Sequence, residues 1–502
     1  MIPTAQQQSD WSDPKSISTW WSTPSQARFH RPYSAELVAS LRSPIAEFWP
    51  ASVQATKLRE TFATHYAKGT ASVTIGATDV IGAHLMADAG YDTIYVSGAT
   101  CSTMDNATQD FGADMADYPY ETVPNKVRQL FRSQLMQHKV SATRRFRGES
   151  VAALDVDRLV PIIADADTGH GGQTANMKLA KLFVEAGAAA IHLDDQVPGT
   201  KKFGAKTAGR VLVPVEEHIT RLLAVKLQFD VMGAECMIVH RTDAETAGYL
   251  TSAISPQDRP YILGCTNRQL RPLVATISAS SSISKSQAES VEDDWIASAG
   301  LCTLDEAVLS QYPSEHSKWK AASEGQNVAE ALVTARTIGL GVQWDCEAAR
   351  SREGWYRFRG GIEPAIDRAV ACARYADILW TRTPATVEKD LEKFSKEVKE
   401  RVPGAMLAYN LAGDIKGTDS EIKDFTSKLA KLGYVWQFLP LAGQSGTGVG
   451  VNTPIRAIKE DGVLGYLNTV VRPGKAAGVS TLDYAWQGGP VADATVPAVT
   501  LW

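Results

Sequence analysis

Short apolar runs alternate with amphipathic segments along the chain from about residue 70 onward. In one of these segments Leu179, Leu182, Phe183 and Ala186 follow an i, i+3, i+4, i+7 spacing, and Gly187 follows where a helix-ending glycine belongs. The apolar runs have the length and composition of parallel strands that helices cover on both faces. They are Ser72–Gly76, Thr93–Ser97, Pro161–Asp165, Ala190–Asp194, Met237–Thr242, Asp377–Thr381, Met406–Asn410 and Trp436–Leu441.

This repeated alternation of strand and helix predicts an α/β fold, a (β/α)8 barrel of the TIM type. A doubly wound parallel sheet is the competing architecture, but no Gly-x-Gly-x-x-Gly motif follows the first run. The stretch between the fifth and sixth runs is too long for a barrel loop, and its Ser-rich part (278–290) suggests a flexible surface segment. We therefore predict an N-terminal helical segment (1–70), the first part of the barrel (71–250), an inserted and mostly helical subdomain (251–340), the second part of the barrel (341–450) and a short C-terminal segment (451–502).

Composition narrows the classes of protein. Of the 502 residues 44% are hydrophobic and 21% charged, which is typical of a globular protein, and the net charge of -5 offers no basic excess for nucleic acid. No apolar run is long enough to span a membrane, and no leader or peroxisomal address is recognisable, so the cytosol is the expected location. None of the six cysteines forms a Cys-x-x-Cys pair, which argues against a disulfide framework and a structural zinc site.

Acidic residues cluster where the predicted strands end, and active sites of such barrels lie at the carboxyl ends of the strands. Asp165 ends the third run and Asp167 follows it, Asp194 ends the fourth run and Asp195 follows it, and Arg241 belongs to the fifth. Clustered carboxylates suit a hard divalent cation such as Mg2+, and an arginine suits a substrate carboxylate. A small polycarboxylate bound through Mg2+ is therefore expected.

The same residue types also have ordinary structural roles. An aspartate at a strand end often caps the next helix, although acids at successive strand ends are harder to explain in this way. We expect His170, in the Gly-rich turn after Asp167, to be structural, and we expect His192 and His240 to be hydrogen-bonded histidines of the core.

Ten segments together resemble the isocitrate lyase and 2-methylisocitrate lyase family, fungal type, within the isocitrate lyase–phosphoenolpyruvate mutase superfamily. They are SVQATKL (52–58), DTIYVSG (92–98), DMADYPYETVPNKV (114–127), PIIADADTGHGG (161–172), DDQVPGTKK (194–202), VLVPVEEHI (211–219), RTDAE (241–245), SREGWYRFRGG (351–361), MLAYNL (406–411) and LGYVWQF (432–438). The resemblance implies a tetrameric, Mg2+-dependent barrel with exchanged C-terminal helices. Such enzymes cleave a carbon–carbon bond of a hydroxytricarboxylate, which gives succinate and either glyoxylate or pyruvate.

The resemblance also implies roles for individual residues. It places the metal on Asp165 directly and on three further carboxylates through water, with Mn2+ as the alternative ion. It places the hydroxyl-facing tyrosine, the candidate base, at Tyr95. The resemblance assigns the metal to Asp165, Asp114, Asp167 and Asp194. It assigns the glyoxylate end of the substrate to Ser97, Gly98 and Arg241.

Other family positions are altered. The family loop Lys-Lys-Cys-Gly-His, whose cysteine is the general acid, reads Lys201-Lys202-Phe203-Gly204-Ala205 here, so Phe203 replaces the acid. Gly204 is kept as a substrate contact, and Lys202 is a candidate replacement acid, as is the nearby Lys206. In the family's Asn-x-Ser-x-Ser clamp for the succinate carboxylate only Asn410 remains, and Arg382 stands in place of a glutamate and is a candidate carboxylate ligand.

Three functions fit this pattern. The first is a Mg2+-dependent carbon–carbon lyase, of the oxo-acid-lyase type, for a different small 2-hydroxy or 2-keto acid. The second is an inactive homologue that binds a ligand or assembles with an active subunit, and the third is a weak isocitrate or 2-methylisocitrate lyase. The expected assembly is a homo-oligomer, tetrameric by resemblance, and no nucleic-acid or membrane partner is expected. The resemblance leaves peroxisomal and mitochondrial locations open beside the cytosol.

Overall fold

The computed structural model describes residues 10–110, 116, 118–149, 155–201, 209–279, 284–381, 388–411, 415, 417–479 and 489–500. A parallel barrel is the centre of the fold, and its strands follow one another in chain order around the ring. A bridge between Gly76 and Tyr95 connects the first strand to the second and nearly closes the ring. The strands are β1 (Ser72–Ile75), β2 (Ile94–Val96), β3 (Ile162–Asp165), β4 (Ala190–Asp194), β5 (Met237–Thr242), β6 (Ile378–Thr381), β7 (Met406–Asn410) and β8 (Tyr434–Leu439).

The predicted barrel is confirmed, and each predicted run overlaps one strand. The last run was placed two residues too late, since β8 begins at Tyr434 directly after Gly433, which has φ of 92° and ends the preceding turn. The strand stops at Leu439 because Pro440 has no N–H to continue the ladder. Every residue of β2, β3 and β4 is buried, as expected for strands covered on both faces.

Helices connect the barrel strands, and further helices precede β1 and follow β8. The predicted helix after β3 is confirmed over Gln173–Ala186, and Gly187 ends it with φ of 97°. The helices are α1 (Pro14–Trp21), α2 (Ala35–Leu41), α3 (Pro50–Lys68), α4 (Val80–Asp88), α5 (Gly98–Met104), α6 (Thr122–Phe146), α7 (Gln173–Ala186), α8 (Val215–Met232), α9 (Leu273–Ala279), α10 (Lys285–Ser298), α11 (Leu304–Gln311), α12 (His316–Ser323), α13 (Val328–Thr337), α14 (Ile362–Cys372), α15 (Glu388–Arg401), α16 (Asp419–Lys431), α17 (Ala442–Asp461), α18 (Val463–Tyr466), α19 (Arg472–Ala476) and α20 (Gly489–Val499).

The insertion between β5 and β6 contains α9 to α13, which confirms its helical character. The Ser-rich stretch is less irregular than predicted. Ser284 and Gln287 form a reciprocal capping box that starts α10, so the stretch is helical from residue 285 onward. Short strands brace the insertion in two small sheets: Arg210–Leu212 with Ala247–Leu250 and Tyr356–Arg357, and Leu263–Gly264 with Cys302–Thr303.

The N-terminal helices are attached to the barrel by buried polar contacts. Arg31 donates to Asp230 on α8 at 2.7 Å, and the Gln26 amide donates to Glu235 at 2.6 Å. Among the described helices none is both long enough and apolar enough to cross a membrane. The division of the chain at residues 70, 250, 340 and 450 stays a prediction.

Candidate active site

Three of the four predicted metal ligands lie together at the carboxyl ends of β3 and β4. Asp165 and Asp194 are the last residues of these strands, and Asp167 is in the turn after β3 with a left-handed φ of 48°. The Asp194 amide donates to the Asp167 carbonyl at 2.9 Å. All three side chains are almost completely buried. Asp114, the fourth predicted ligand, lies outside the described residues.

A lysine that the sequence did not single out occupies the centre of this group. The Lys201 ammonium donates to Asp167 Oδ1 and to Asp194 Oδ2, and the side chain is 2% exposed. Burial alone would lower the pKa of Lys201, but Asp167 and Asp194 outweigh it and raise the pKa above its ordinary value. The lysine is therefore charged. Its neighbours Lys202, Phe203 and Gly204, which carry the predicted loop chemistry, lie outside the described residues.

The carboxylate of Asp165 is held in its ionised form. Burial would raise its pKa, but His192, Lys201 and Arg241 outweigh burial and lower the pKa to about 2. The Asp167 amide donates to Asp165 Oδ1 at 2.8 Å, and the Gly98 amide donates to Oδ2 at 3.1 Å. The pKa of Asp167 is lowered as well, since Lys201 outweighs its burial. At neutral pH both groups are therefore charged oxygen donors.

This group of carboxylates passes a test of fit for a divalent cation. Its donors are hard carboxylate oxygens, which Mg2+ and Mn2+ prefer. A positive charge, the Lys201 ammonium, bridges Asp167 and Asp194, so these two carboxylates are arranged to share one cation. Asp195 does not belong to the group: its carboxylate accepts from Thr242 Oγ1 at 2.6 Å and pairs with Arg368 at 2.9 Å.

Gly98 and Ser97 form the wall beside Asp165, at the end of β2. A Cβ on Gly98 would lie 2.5 Å from the Tyr118 hydroxyl and 3.0 Å from Asp165 Oδ2, so only glycine fits there. The Ser97 hydroxyl accepts from the Thr100 amide at 3.5 Å and caps α5. Tyr118 also donates to Asp167 and is a second site residue that the sequence reasoning did not single out.

Tyr95 lies beneath the carboxylates and is fully buried. Its hydroxyl is 3.2 Å from Asp165 Oδ2, to which it donates, and 3.0 Å from His192 Nε2. Burial, reinforced by the Asp165 charge, raises the pKa of Tyr95 well above its ordinary value, so the phenol is protonated in this arrangement. His192 was expected to be a core histidine, and its Nε2 is indeed hydrogen-bonded, while Nδ1 has no partner among the described residues.

Arg241 projects from β5 beside Asp194, its partner in the strand register. Its guanidinium lies 3.0 Å from Asp243 Oδ2 and 4.0 Å from Asp194 Oδ2, and it stacks on the Trp380 ring at 4.5 Å. Burial would lower the pKa of Arg241, but Asp243, Asp194 and Asp165 outweigh it and raise the pKa. Its Nε finds no hydrogen-bond partner in the described part of the chain, so one donor is available to a ligand.

The opposite side of the barrel presents polar atoms without partners. Asn410, the last residue of β7, has an unpartnered Oδ1, and the indole N–H groups of Trp380 and Trp436 lack acceptors among the described residues. Phe438 contacts the Trp436 ring at 4.1 Å and the Tyr95 ring at 4.7 Å, so these aromatic side chains form one cluster beneath the site. Arg382 and the altered clamp residues 412–414 lie outside the described residues.

Comparison with known proteins identifies the family of this chain. The model of the isocitrate lyase family matches residues 13–500. The chain is 40% identical to an isocitrate lyase of Oryza sativa subsp. japonica, over 96% of this chain and 89% of that protein. It is 37% identical to a mitochondrial 2-methylisocitrate lyase of Hypocrea atroviridis, over 97% of this chain and 90% of that protein. It is 35% identical to an isocitrate lyase of Saccharomyces cerevisiae, over 96% of this chain and 90% of that protein. The family resemblance is thereby confirmed, and this chain belongs to the isocitrate lyase family.

Proposed function

We propose that this protein is a carbon–carbon lyase that acts, with a divalent cation, on a small 2-hydroxy or 2-keto carboxylic acid other than isocitrate. One observation carries the proposal. The carboxylates of Asp165, Asp167 and Asp194 lie together with Arg241 beside them, which supports a half-site for a cation and a keto acid.

Mg2+ is the proposed ion and Mn2+ the alternative. Asp165, Asp167 and Asp194 would hold it, with Asp114 as the fourth group that the resemblance assigns. When bound, such an ion polarises the substrate oxygen and stabilises the negative charge that develops there. The carboxylates of Asp165 and Asp167 are ionised without the ion, as the lowered pKa of each of them indicates.

The chain's own groups bind and orient the acid. Arg241 is fixed by Asp243 and Trp380, and its Nε–H, which has no partner among the described residues, can donate to a substrate carboxylate. Ser97 and Gly98 are the further contacts that the resemblance assigns to the keto-acid end. Tyr95 can exchange a proton with the substrate hydroxyl through its hydroxyl group, which Asp165 and His192 orient. Its assignment as the base stays a proposal.

The residues at the family position that protonates the leaving group differ from the family motif, which supports a changed substrate. Phe203 stands where the resemblance expects a cysteine acid, and loss of a positioned general acid typically costs about 100- to 10,000-fold in rate. Lys202 is the nearest candidate replacement, with Gly204 as the retained loop contact. The side-chain amide of Asn410, whose Oδ1 has no partner in the described part of the chain, and Arg382 are proposed to hold a differently placed carboxylate through their N–H groups.

A screen of 2-hydroxy and 2-keto acids with Mg2+, read by mass spectrometry for cleavage products, tests the proposal. We expect turnover of at least one acid that EDTA and Asp165→Asn abolish, and little turnover of isocitrate. The same altered loop would also occur in an inactive homologue, so ligand binding without any product would favour that second function. Efficient cleavage of isocitrate or 2-methylisocitrate would contradict the changed substrate.

The loop alone can be tested by the double change Phe203→Cys with Ala205→His. Because the clamp serines and the glutamate remain replaced, we expect isocitrate cleavage to rise only slightly. A large recovery, read as glyoxylate release, would show that the loop was the main defect and that the clamp matters less than proposed.

We also propose a homo-oligomer, tetrameric by resemblance. Helix α17 buries none of its residues, and Val449, Ile455 and Val463 are 73%, 61% and 74% exposed at this end of the chain. Exposed apolar patches on helices favour a protein partner, here further copies of this chain. Light scattering should give the mass of four chains, and Ile455→Asp should reduce it. A cytosolic location stays a prediction.

A further inference from the structure

A buried group of two histidines and a cysteine lies outside the active site, in the layer where the helices cover β5. His240 is on β5, His218 is on α8, and Cys372 is the last residue of α14. One ligand atom from each of these residues lies within 4.8 Å of the other two. All three side chains are at most 1% exposed.

His240 and Arg241 are consecutive in β5 and serve different sides of the barrel wall. Side chains alternate along a strand, so Arg241 faces the carboxylates while His240 faces α8 and α14. His240 Nδ1 and His218 Nε2 are 2.9 Å apart, which is a single N–H···N hydrogen bond. The other nitrogen of each ring, His218 Nδ1 and His240 Nε2, is buried without a hydrogen-bond partner among the described residues.

This arrangement leaves the two rings only partly satisfied, which is unusual for buried polar groups. Burial lowers the pKa of His240 to about 3, with the Arg368 charge as the smaller cause, so its ring is neutral. Burial likewise lowers the pKa of His218. A neutral imidazole has a lone pair for a metal ion, whereas a protonated imidazole has none.

We propose that His218, His240 and Cys372 form a buried zinc site that joins β5 to helices α8 and α14. Two imidazole nitrogens and one sulfur form a donor set that binds zinc in preference to harder ions such as Mg2+. Ligand atoms around a tetrahedral zinc ion are about 3.3–3.6 Å apart, so the widest separation must close by about 1 Å. The fourth position falls to a water molecule or a backbone oxygen.

Charges of both signs lie around the group: Arg221 and Arg368 act on His218, and the carboxylates of Asp195 and Asp258 pair with Arg368. Zinc with one thiolate carries a net single positive charge. Arg368 pairs with Asp195 at 2.9 Å and with Asp258 at 2.8 Å, so this neighbouring triad has one more carboxylate than guanidinium. On binding, the S–H bond of Cys372 breaks, its proton leaves to the solvent and an S–Zn bond forms, while each imidazole keeps one N–H. No oxidant or reductant is required.

Because the ligands are buried, the ion has to enter while the chain folds. The full chain is therefore produced in zinc-supplemented medium, dialysed against EDTA and analysed for zinc by mass spectrometry. We expect about one zinc per chain in the parent protein. Cys372→Ala and His240→Ala should lose it, while Cys236→Ala, a change at another buried cysteine, should keep it.

A cobalt measurement separates this site from the carboxylate group of the active site. Protein produced with Co2+ should show a thiolate-to-cobalt charge-transfer absorption, which oxygen ligands cannot give. The band should persist in Asp165→Asn, where loss of the proposed activity is expected, and should disappear in Cys372→Ala. Absence of both zinc and the cobalt band from the folded parent protein would overturn the proposal whether or not the variants fold, and so would a band that survives in Cys372→Ala.

Discussion

Replacement of Lys201 by methionine tests the electrostatics of the candidate site without knowledge of the substrate. Methionine keeps most of the length and volume of the lysine side chain but removes its charge. The Lys201 side chain is 2% exposed, and those of Asp167 and Asp194 are 0% exposed, so the ion pairs are fully buried. Removal of one partner from such a pair leaves uncompensated buried charge and costs about 3–5 kcal/mol. We therefore expect Lys201→Met to lower the free energy of unfolding by about that amount.

The matched control is Lys393→Met on the surface. Lys393 also pairs with a carboxylate, that of Glu363, but the two side chains are 35% and 58% exposed. Exposed pairs contribute about 0.2–1 kcal/mol, so this variant should lie close to the parent protein. Urea denaturation, followed by tryptophan fluorescence at one protein concentration in EDTA, measures both variants.

The same assay with Mg2+ completes the test. In Lys201→Met the carboxylates have lost their resident cation, so Mg2+ should stabilise this variant more than it stabilises the parent protein. The reasoning is refuted if Lys201→Met costs no more than Lys393→Met in EDTA. If the large loss occurs but Mg2+ restores none of it, the buried pairs are real and the carboxylate group does not take the ion.

Three further outcomes are expected. Gly98→Ala should weaken Mg2+ binding, measured calorimetrically, because the added Cβ would lie 3.0 Å from Asp165 Oδ2, whereas Gly82→Ala, whose Cβ would be 3.6 Å from its nearest neighbour, should bind normally and gain about 0.5–1 kcal/mol of stability. Because the pKa of His240 is lowered from 6.5 to about 3, the unfolded state takes up a proton that the folded state refuses, and stability falls as the pH decreases below 6.5. Between pH 6.5 and 5 in EDTA this group should account for a loss of about 1.5 kcal/mol, which His240→Asn should remove from the urea-derived pH profile; an unchanged profile would contradict the burial of a neutral ring. Arg241→Lys should weaken binding of a 2-keto acid such as glyoxylate, measured calorimetrically, by about 10- to 100-fold, since hydrogen bonds to charged groups contribute about 1.5–3 kcal/mol. Unaltered binding would show that Arg241 serves only its internal partner Asp243.

The barrel could be predicted from the sequence because its signal is local and repeated. Parallel strands that are covered on both faces consist of short apolar runs, and the glycine that ends α7 interrupts the helical pattern. The start of β8 was harder to predict. Tyr434 and Val435 are as buried as the residues that follow them, so no change in hydrophobic pattern marks where the strand begins. The helical part of the Ser-rich stretch was missed because the Ser284–Gln287 capping box was not recognised within a serine run.

The clustering of the carboxylates could be predicted from the sequence, whereas the buried lysine between them could not. Asp165 and Asp194 stand at strand ends, and parallel strands bring such residues to one edge of the barrel. Lys201 comes seven residues after β4, and nothing in its spacing indicates that its side chain folds back between Asp167 and Asp194. The proposed zinc ligands illustrate the same limit. Rules of cysteine spacing find sites made by one loop, whereas His218, His240 and Cys372 come from three separate elements.

The kept and altered residues are divided along the chain in a way that bears on the proposed change of substrate. Asp165, Asp194 and Arg241 come from β3, β4 and β5, which are neighbours in the ring, and they are fixed by contacts to one another. The altered positions Phe203, Ala205, Arg382 and 412–414 follow β4, β6 and β7 in the sequence and lie outside the described residues. The proposed change of substrate rests on this division of the sequence: the described carboxylates and Arg241 are kept, while the positions that the resemblance assigns to the acid and to the succinate clamp differ in residue type. A general loss of function would be expected to alter both sets of positions, so the retention of one set favours a changed substrate.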